Sequence, residues 1–327
     1  MTTFKEIRGT TIEVVSSDPS NPETGQIWYN SSSGTLKGYQ LATINAWSAG
    51  GNLNTARQGM MGSSSGSPTA SLTAAGITTV NLSASESYNG TSWTNTPSIT
   101  TARSTGGGAG TATAALIFGG DTGPAPTTAS ESWNGSTWTN TPSLNTARRN
   151  MAGFGATNTA AIGFGGNQNP STAEVSTESF NGSAWTSVNN MNTARTALTG
   201  IGILTAGLAF GGQAVPGFSA ATESWNGTSW TSVNSLNTAR SSLAASGIQT
   251  SALAFGGGNP GLTGATELWN GTSWTTNPSS MGTARSNMTK ATASSDGLAV
   301  GGSTPSVTTA TEKWTGIALA TRTITVS

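Results

Sequence analysis

The sequence has no cysteine and no histidine. The first absence removes disulfides and thiol nucleophiles, the second removes the commonest general base, and together they remove the usual zinc ligands. A cysteine-free chain tolerates cytosol and exterior alike, so the redox compartment stays open. Charge is scarce as well: 8% of the 327 residues are charged, 13 basic against 13 acidic. That leaves no basic field for nucleic acid and no acidic tail. Met1 to Ser20 lacks the apolar core of a signal peptide and no run approaches a membrane span, so neither signal-peptide export nor membrane insertion is expected. No segment keeps a helical period long enough for a helix.

What the chain does contain is a repeat. Thr-Ala-Arg ends at Arg57, Arg103, Arg148, Arg195, Arg240 and Arg285, with spacings of 46, 45, 47, 45 and 45 residues. Trp47, Trp93, Trp138, Trp185, Trp230 and Trp274 precede these arginines by 10 or 11 residues. Glu86, Glu131, Glu178, Glu223, Glu267 and Glu312 recur in the same phase. A fixed period of this length marks an array of supersecondary units. Gly, Ser, Thr, Ala and Asn dominate the composition, yet disordered low-complexity sequence has no reason to keep apolar residues in register.

One repeat read from Thr238 passes through Thr238 to Gly247, Ser251 to Gly257, Ala265 to Gly271 and Thr272 to Thr276. These are four short β-prone segments separated by turn residues, which is the content of one propeller blade. The expected fold is all-β: a six-bladed propeller of four-stranded blades over 47–327, preceded by a leader over 1–46. The order of segments resembles the kelch repeat, with Arg before the innermost strand, a small apolar strand ending in Gly-Gly (Gly119-Gly120, Gly165-Gly166, Gly211-Gly212, Gly256-Gly257, Gly301-Gly302), and Trp on the outer strand. That resemblance implies a fold and no activity. Ser224 to Trp230 is similar to the Asp-box of sialidase propellers with Asn in place of Asp, which again implies only a turn.

Asn-Gly recurs before each outer strand (Asn89-Gly90, Asn134-Gly135, Asn181-Gly182, Asn226-Gly227, Asn270-Gly271) and reads as the centre of a two-residue type I′ hairpin rather than as a glycosylation site. The sixth repeat lacks an outer Trp strand, whereas Trp47 precedes the first repeat without strands of its own. The strand around Trp47 is therefore expected to complete the last blade and hide both sheet edges, with the alternating tail Ala320 to Ser327 as competitor or extension.

The leader has its own grammar. Ile7, Thr10 to Ile12 and Val14-Val15 read as an extended piece, Ser16 to Pro22 as a loop, and Gly25 to Tyr39 as a β-hairpin exposing Ile27, Trp28, Tyr29 and Leu36. Such a hairpin either caps the repeat domain or docks on another protein. Phe4 to Gly9, Ser17-Asp18-Pro19, Gly25-Gln26-Ile27-Trp28-Tyr29-Asn30 and Gly34 to Gly38 resemble the start of virion structural proteins of tailed phages, marine cyanophages in particular. The resemblance covers about the first 45 residues. It implies a virion protein made in the host cytoplasm and displayed on the particle, attached to other virion proteins through Ile27, Trp28, Tyr29 and Leu36. A homo-oligomer is compatible with it.

The six repeat arginines and glutamates are expected to pair structurally, against the alternative of an arginine-lined channel that binds an anion. Six equivalent carboxylates do not make a glycosidase, which needs two carboxyls in unlike environments. Asp18, Asp121, Glu174 and Asp296, with Glu6, Glu13 and Glu23, break the symmetry. No enzymatic activity, metal or cofactor is expected. Loops between second and third strands differ from copy to copy, and they share a face with the uniform fourth-to-first loops. Asp121, Gln168, Asn169, Gln213, Phe218 and Asn259 in these variable loops are the candidate ligand contacts. The expected function is a tail fibre or adhesin for a host surface glycan or receptor. The alternative is a decoration or scaffold subunit of capsid or tail.

Overall fold

The computed structural model of the chain describes residues 12–23, 25–65, 67–123, 125–170, 172–214, 216–292 and 296–323. It separates into two units, Ala46–Thr315 and a smaller one of Met1–Asn45 with Gly316–Ser327. Among the described residues there is no helix, and the architecture is all-β and propeller-like.

The larger unit holds five four-stranded antiparallel sheets in sequence order. Sheet 1 is Met61–Gly62, Ser71–Ala74, Ser85–Tyr88 and Trp93–Thr96. Sheet 2 is Gly107–Thr111, Ala114–Phe118, Ser130–Trp133 and Trp138–Thr141. Sheet 3 is Ala152–Thr157, Ala160–Phe164, Thr177–Phe180 and Trp185–Val188. Sheet 4 is Thr199–Ile203, Ala206–Phe210, Thr222–Trp225 and Trp230–Val233. Sheet 5 is Ala244–Ile248, Ser251–Phe255, Thr266–Trp269 and Trp274–Asn277. Thr289–Thr292, Asp296–Val300 and the start of Thr311–Thr323 form sheet 6 in the same manner, with the end of the strand Thr35–Ala49 beside them. There Gly50 N–H donates to the Thr311 carbonyl at 2.8 Å.

Two contacts repeat from sheet to sheet, and both follow from the sequence pattern. The second glycine of each Gly-Gly pair has positive φ, about 100° at Gly212, a region that glycine enters without a Cβ penalty. The turn aims its N–H at the main-chain carbonyl of the next repeat's arginine. Gly120 reaches Arg148, Gly166 Arg195, Gly212 Arg240 and Gly257 Arg285, all at 2.8–2.9 Å. Gly76 in the first copy reaches Arg103, and Gly302 in the last reaches Arg57, both at 2.9 Å. The first strands touch in the same order, and the first strand of sheet 6 touches that of sheet 1. Glycine permits this closeness: a Cβ on Gly108 would lie 2.2 Å from the Gly62 carbonyl oxygen.

The second contact is made by the outer tryptophans. Each packs on the residue before Gly-Gly in the preceding sheet, with ring centroids 4.7 Å apart for Trp185 and Phe118, 5.0 Å for Trp230 and Phe164, and 4.7 Å for Trp274 and Phe210. Trp47 occupies the same position on Phe255, at 4.9 Å. A buried Trp removes about 200 Å2 from water, an upper figure of about 5 kcal/mol for each ring. The small Ala, Ser and Thr residues elsewhere are tolerated because these rings carry the packing.

The Asn-Gly turns depart from the expected type I′ hairpin. Only the glycine has positive φ, 92–96° at all five turns, and none of the five asparagines does. Asparagine sits one place earlier than expected, flanking a Gly-Thr, Gly-Ser or equivalent two-residue loop. At Asn226, Oδ1 accepts the N–H groups of Thr228 and Ser229 at 2.9 and 2.8 Å, while its own N–H donates to the Ser229 carbonyl. The side chain thus takes hydrogen bonds that a type I′ turn would give to the main chain.

In the smaller unit Glu13–Val15 pairs in parallel with Ile27–Asn30, which pairs antiparallel with the start of Thr35–Ala49. The extended piece expected at Ile7 and Thr10-Thr11 lies outside the described residues, as do the last four residues of the tail. Asp18, in the predicted loop, accepts hydrogen bonds from Lys37 Nζ at 2.8 Å, Asn30 Nδ2 at 2.7 Å and Trp28 Nε1 at 3.1 Å. These bonds, that to Lys37 foremost, hold the Asp18 carboxyl at about 2, below its ordinary 3.8. Of the four residues expected to dock, Trp28 is buried and engaged with Asp18, Ile27 and Leu36 are half-buried, and Tyr29 is exposed.

Candidate ligand-binding face

The repeat charges are internal. All six arginines have no exposed surface, and each pairs with the glutamate of its own repeat at 2.6–3.0 Å. Arg240 shows the pattern: Nη2 reaches Glu267 Oε1 at 3.0 Å and Nη1 reaches the Ala265 carbonyl at 2.7 Å. Glu267 Oε2 accepts the Asn237 N–H at 2.7 Å. The pair therefore ties the fourth-to-first loop to the third strand and gives each buried charge several partners. Burial pushes the arginine pKa values down, and the partner glutamates oppose that. Guanidinium groups enclosed in this way do not line a channel.

The residue after each arginine bridges to the residue after Gly-Gly, as in Arg149 with Asn167, Thr196 with Gln213 and Ser241 with Gly258. Fourth-to-first and second-to-third loops consequently emerge at one end of the sheets. Outside the six pairs, Ala46–Thr315 contains only six charged residues: Asp121, Arg149, Glu174, Lys290, Asp296 and Lys313. Three of these belong to this end. Arg149 Nη1 is bonded to Asp121 Oδ2 of the preceding repeat. Asn81, one repeat earlier, donates to the Asp121 carbonyl at 2.9 Å. Asn150 donates to Asn167 Oδ1 at 3.1 Å, and Asn167 donates to the Asn169 carbonyl at 2.6 Å. Gln168 reaches Glu174 Oε1 at 3.0 Å.

The fold thus gathers three of the expected contacts, Asp121, Gln168 and Asn169, into one polar cluster. The others are separate. Gln213 and Phe218 pair in a small ribbon of Gln213–Ala214 with Gly217–Phe218, and exposed Asn259 donates to the Ala239 carbonyl at 2.6 Å. Sequence reasoning missed Arg149, the centre of the cluster. The signal was present: it is the only residue after a Thr-Ala-Arg that carries a charge. Among the described residues no three acids converge as a metal site would require.

No family model and no curated protein matches the chain. What the face can do follows from its chemistry. Amides, hydroxyls and one partly exposed ion pair suit hydrogen-bonded recognition of a polar ligand.

Proposed function

We propose that the chain is a virion-borne binding protein: a six-bladed, kelch-like propeller whose variable-loop end recognises a host surface glycan, joined to the particle by its leader. Support for six blades and closure comes from the six Gly-to-Arg hydrogen bonds, the last of which joins Gly302 to Arg57. Trp47, standing where an outer-strand tryptophan belongs beside Trp314, supports the N-terminal strand as the closing one.

The observation that carries the functional reading is the distribution of charge. Twelve repeat charges are enclosed in pairs, and the Asp121, Arg149 and Glu174 charges that break the repeat gather in adjoining loops at one end. A spacer needs no such departure, whereas recognition of one ligand does. The attachment role of the leader rests on its resemblance to tailed-phage virion proteins, with exposed Tyr29 as the available contact.

The test is saturable binding of labelled full-length protein to intact cyanobacterial cells, competed by their purified surface polysaccharide. Binding that is competed and falls in the Arg149→Ala variant supports the reading. Absence of binding by folded protein favours a decoration or scaffold subunit.

A further inference from the structure

At the loop end the residues two places after the repeat arginines form a ring: Gly59, Thr105, Asn150, Ala197, Ser242 and Asn287. All six have positive φ, from 49° to 60°. Main-chain hydrogen bonds join five of the six successive pairs: Thr105 N–H to Gly59 at 2.7 Å, Ala197 to Asn150 at 2.9 Å, Ser242 to Ala197 at 2.8 Å, Asn287 to Ser242 at 2.9 Å and Gly59 to Asn287 at 2.9 Å. Because these bonds use only backbone atoms, glycine at every position would serve them, as Gly59 does. The left-handed region costs a side-chain-bearing residue on the order of 1–2 kcal/mol, less for Asn, and is rarer still for a β-branched residue such as Thr105. Five side chains of four kinds nevertheless stand there, and backbone architecture does not require them.

These side chains border a recess of about 120 Å3. A cavity of roughly 150 Å3 accepts one benzene ring, so this smaller, open recess has room for one edge of a single six-membered ring. Thr199 and Thr289 add hydroxyls to the wall, and among the described residues none in the lining is charged or aromatic. At the other end of the first strands Ser65 crosses to sheets 2 and 3, its N–H on the Gly110 carbonyl at 2.8 Å and its hydroxyl on the Gly155 carbonyl at 2.9 Å. The recess adjoins the asymmetric cluster through Asn150, which is next to Arg149 and bonded to Asn167.

We propose that the recess is the subsite for the terminal ring of the ligand, and that this ring is an uncharged pyranose. The proposal rests on the glycan-binding reading above and deepens it. Hydroxyl and amide groups at the rim meet sugar hydroxyls, and small apolar side chains meet the ring edge. Among the described side chains the lining offers hydroxyls, amides and small apolar groups and no cation, which favours a neutral ring over a uronic acid, whose carboxylate would lose water without gaining a partner among them. The remainder of the chain leaves past Asn150 over Arg149 and Asp121.

The test uses full-length protein and a panel of neutral methyl hexopyranosides and methyl N-acetylhexosaminides, with glucuronate as the charged control, followed by calorimetry and saturation-transfer NMR. At least one neutral glycoside is expected to bind with a millimolar Kd, and glucuronate not. Ala197→Trp fills the recess and Ala197→Asp places a carboxylate in it in a conformation that Asp tolerates. Each is expected to weaken binding at least about tenfold, while Ile248→Ser, at an exposed position on the far end of a first strand, leaves single-ring binding unchanged. Melting curves establish that the variants are folded. The proposal is overturned if no neutral glycoside binds, if glucuronate binds better, or if folded Ala197 variants bind like wild type. Cell binding that persists in those variants overturns the recess alone. Single-ring binding without cell binding overturns the adhesin reading and leaves the recess standing.

Discussion

The indole N–H of Trp93 donates to the hydroxyl of Thr311 at 3.1 Å, joining residues 218 apart in sequence. The same bond recurs wherever the third strand of the preceding sheet opens with threonine: Trp47 to Thr266 at 3.0 Å, Trp230 to Thr177 at 3.1 Å and Trp274 to Thr222 at 3.1 Å. Where that position is Ser85 or Ser130, the indole N–H of Trp138 or Trp185 is buried without a partner. Serine at position 130 lacks the methyl group that fixes the threonine rotamer in the sister sheets.

Ser130→Thr should therefore stabilise the protein by about 1 kcal/mol, the ordinary net worth of one hydrogen bond. At this size that is a rise in Tm of about 1–2 °C in calorimetry. Thr177→Val should act in the opposite direction by about 1–2 kcal/mol, because Trp230 loses its acceptor while the shape is kept. A Ser130→Thr variant that melts no higher than wild type would show that the Trp185 N–H is already satisfied.

Arg240→Met leaves Glu267 buried without its counter-charge. Breaking one side of a buried pair costs about 3–5 kcal/mol, which chemical denaturation should register as a lower midpoint. Glu267→Gln should cost less, since an amide oxygen can still accept the Asn237 N–H. Equal losses from the two substitutions would contradict a charge-based role for the pair.

Asp18 makes the smaller unit sensitive to acid in a defined window. Its pKa is lowered to about 2 from 3.8, so its contribution is fully present above the unfolded value of 3.8 and is lost as pH falls through about 2. NMR of the Trp28 indole N–H should show a stable bonded signal down to about pH 4 and progressive loss below it. Asp18→Asn should remove that dependence, and a Trp28 signal that titrates alike in wild type and variant would refute the assignment.

The Arg149–Asp121 pair is partly exposed, 21% and 18% at the side chains. Pairs of this kind contribute about 0–1 kcal/mol to stability. Arg149→Ala and Asp121→Ala should accordingly melt within a few degrees of wild type, yet bind cells at least about tenfold more weakly. A large drop in Tm without a loss of binding would make the cluster structural.

Much of the fold was legible in advance because it depends on phase. Arg, Glu, Gly-Gly and Trp recur at one period, and residues at equal phase meet in the same way in every sheet, so the pairing of Arg240 with Glu267 could be read from one dimension. The Asn-Gly dipeptide matches a type I′ loop, whereas the turn that forms depends on hydrogen bonds to the asparagine side chain that composition does not reveal. The hairpin sequence presents Ile27, Trp28, Tyr29 and Leu36 alike, whereas Trp28 is buried with its indole N–H on Asp18, because which side chains are covered depends on contacts that the local pattern does not contain.

The sequence by itself determined the all-β class, the strand content of each repeat and the residues that pack and pair, because periodic spacing brings like residues to like positions. Only the tertiary structure decided where the repeat is broken to effect. Asp121 and Arg149 belong to different repeats and meet through loop paths that have no period, and the left-handed ring from Gly59 to Asn287 surrounds its recess only when six separate strand entries converge. Phase specifies neighbours within a repeating lattice of contacts. The unlike residues of the variable loops are positioned by the way the sheets pack in space.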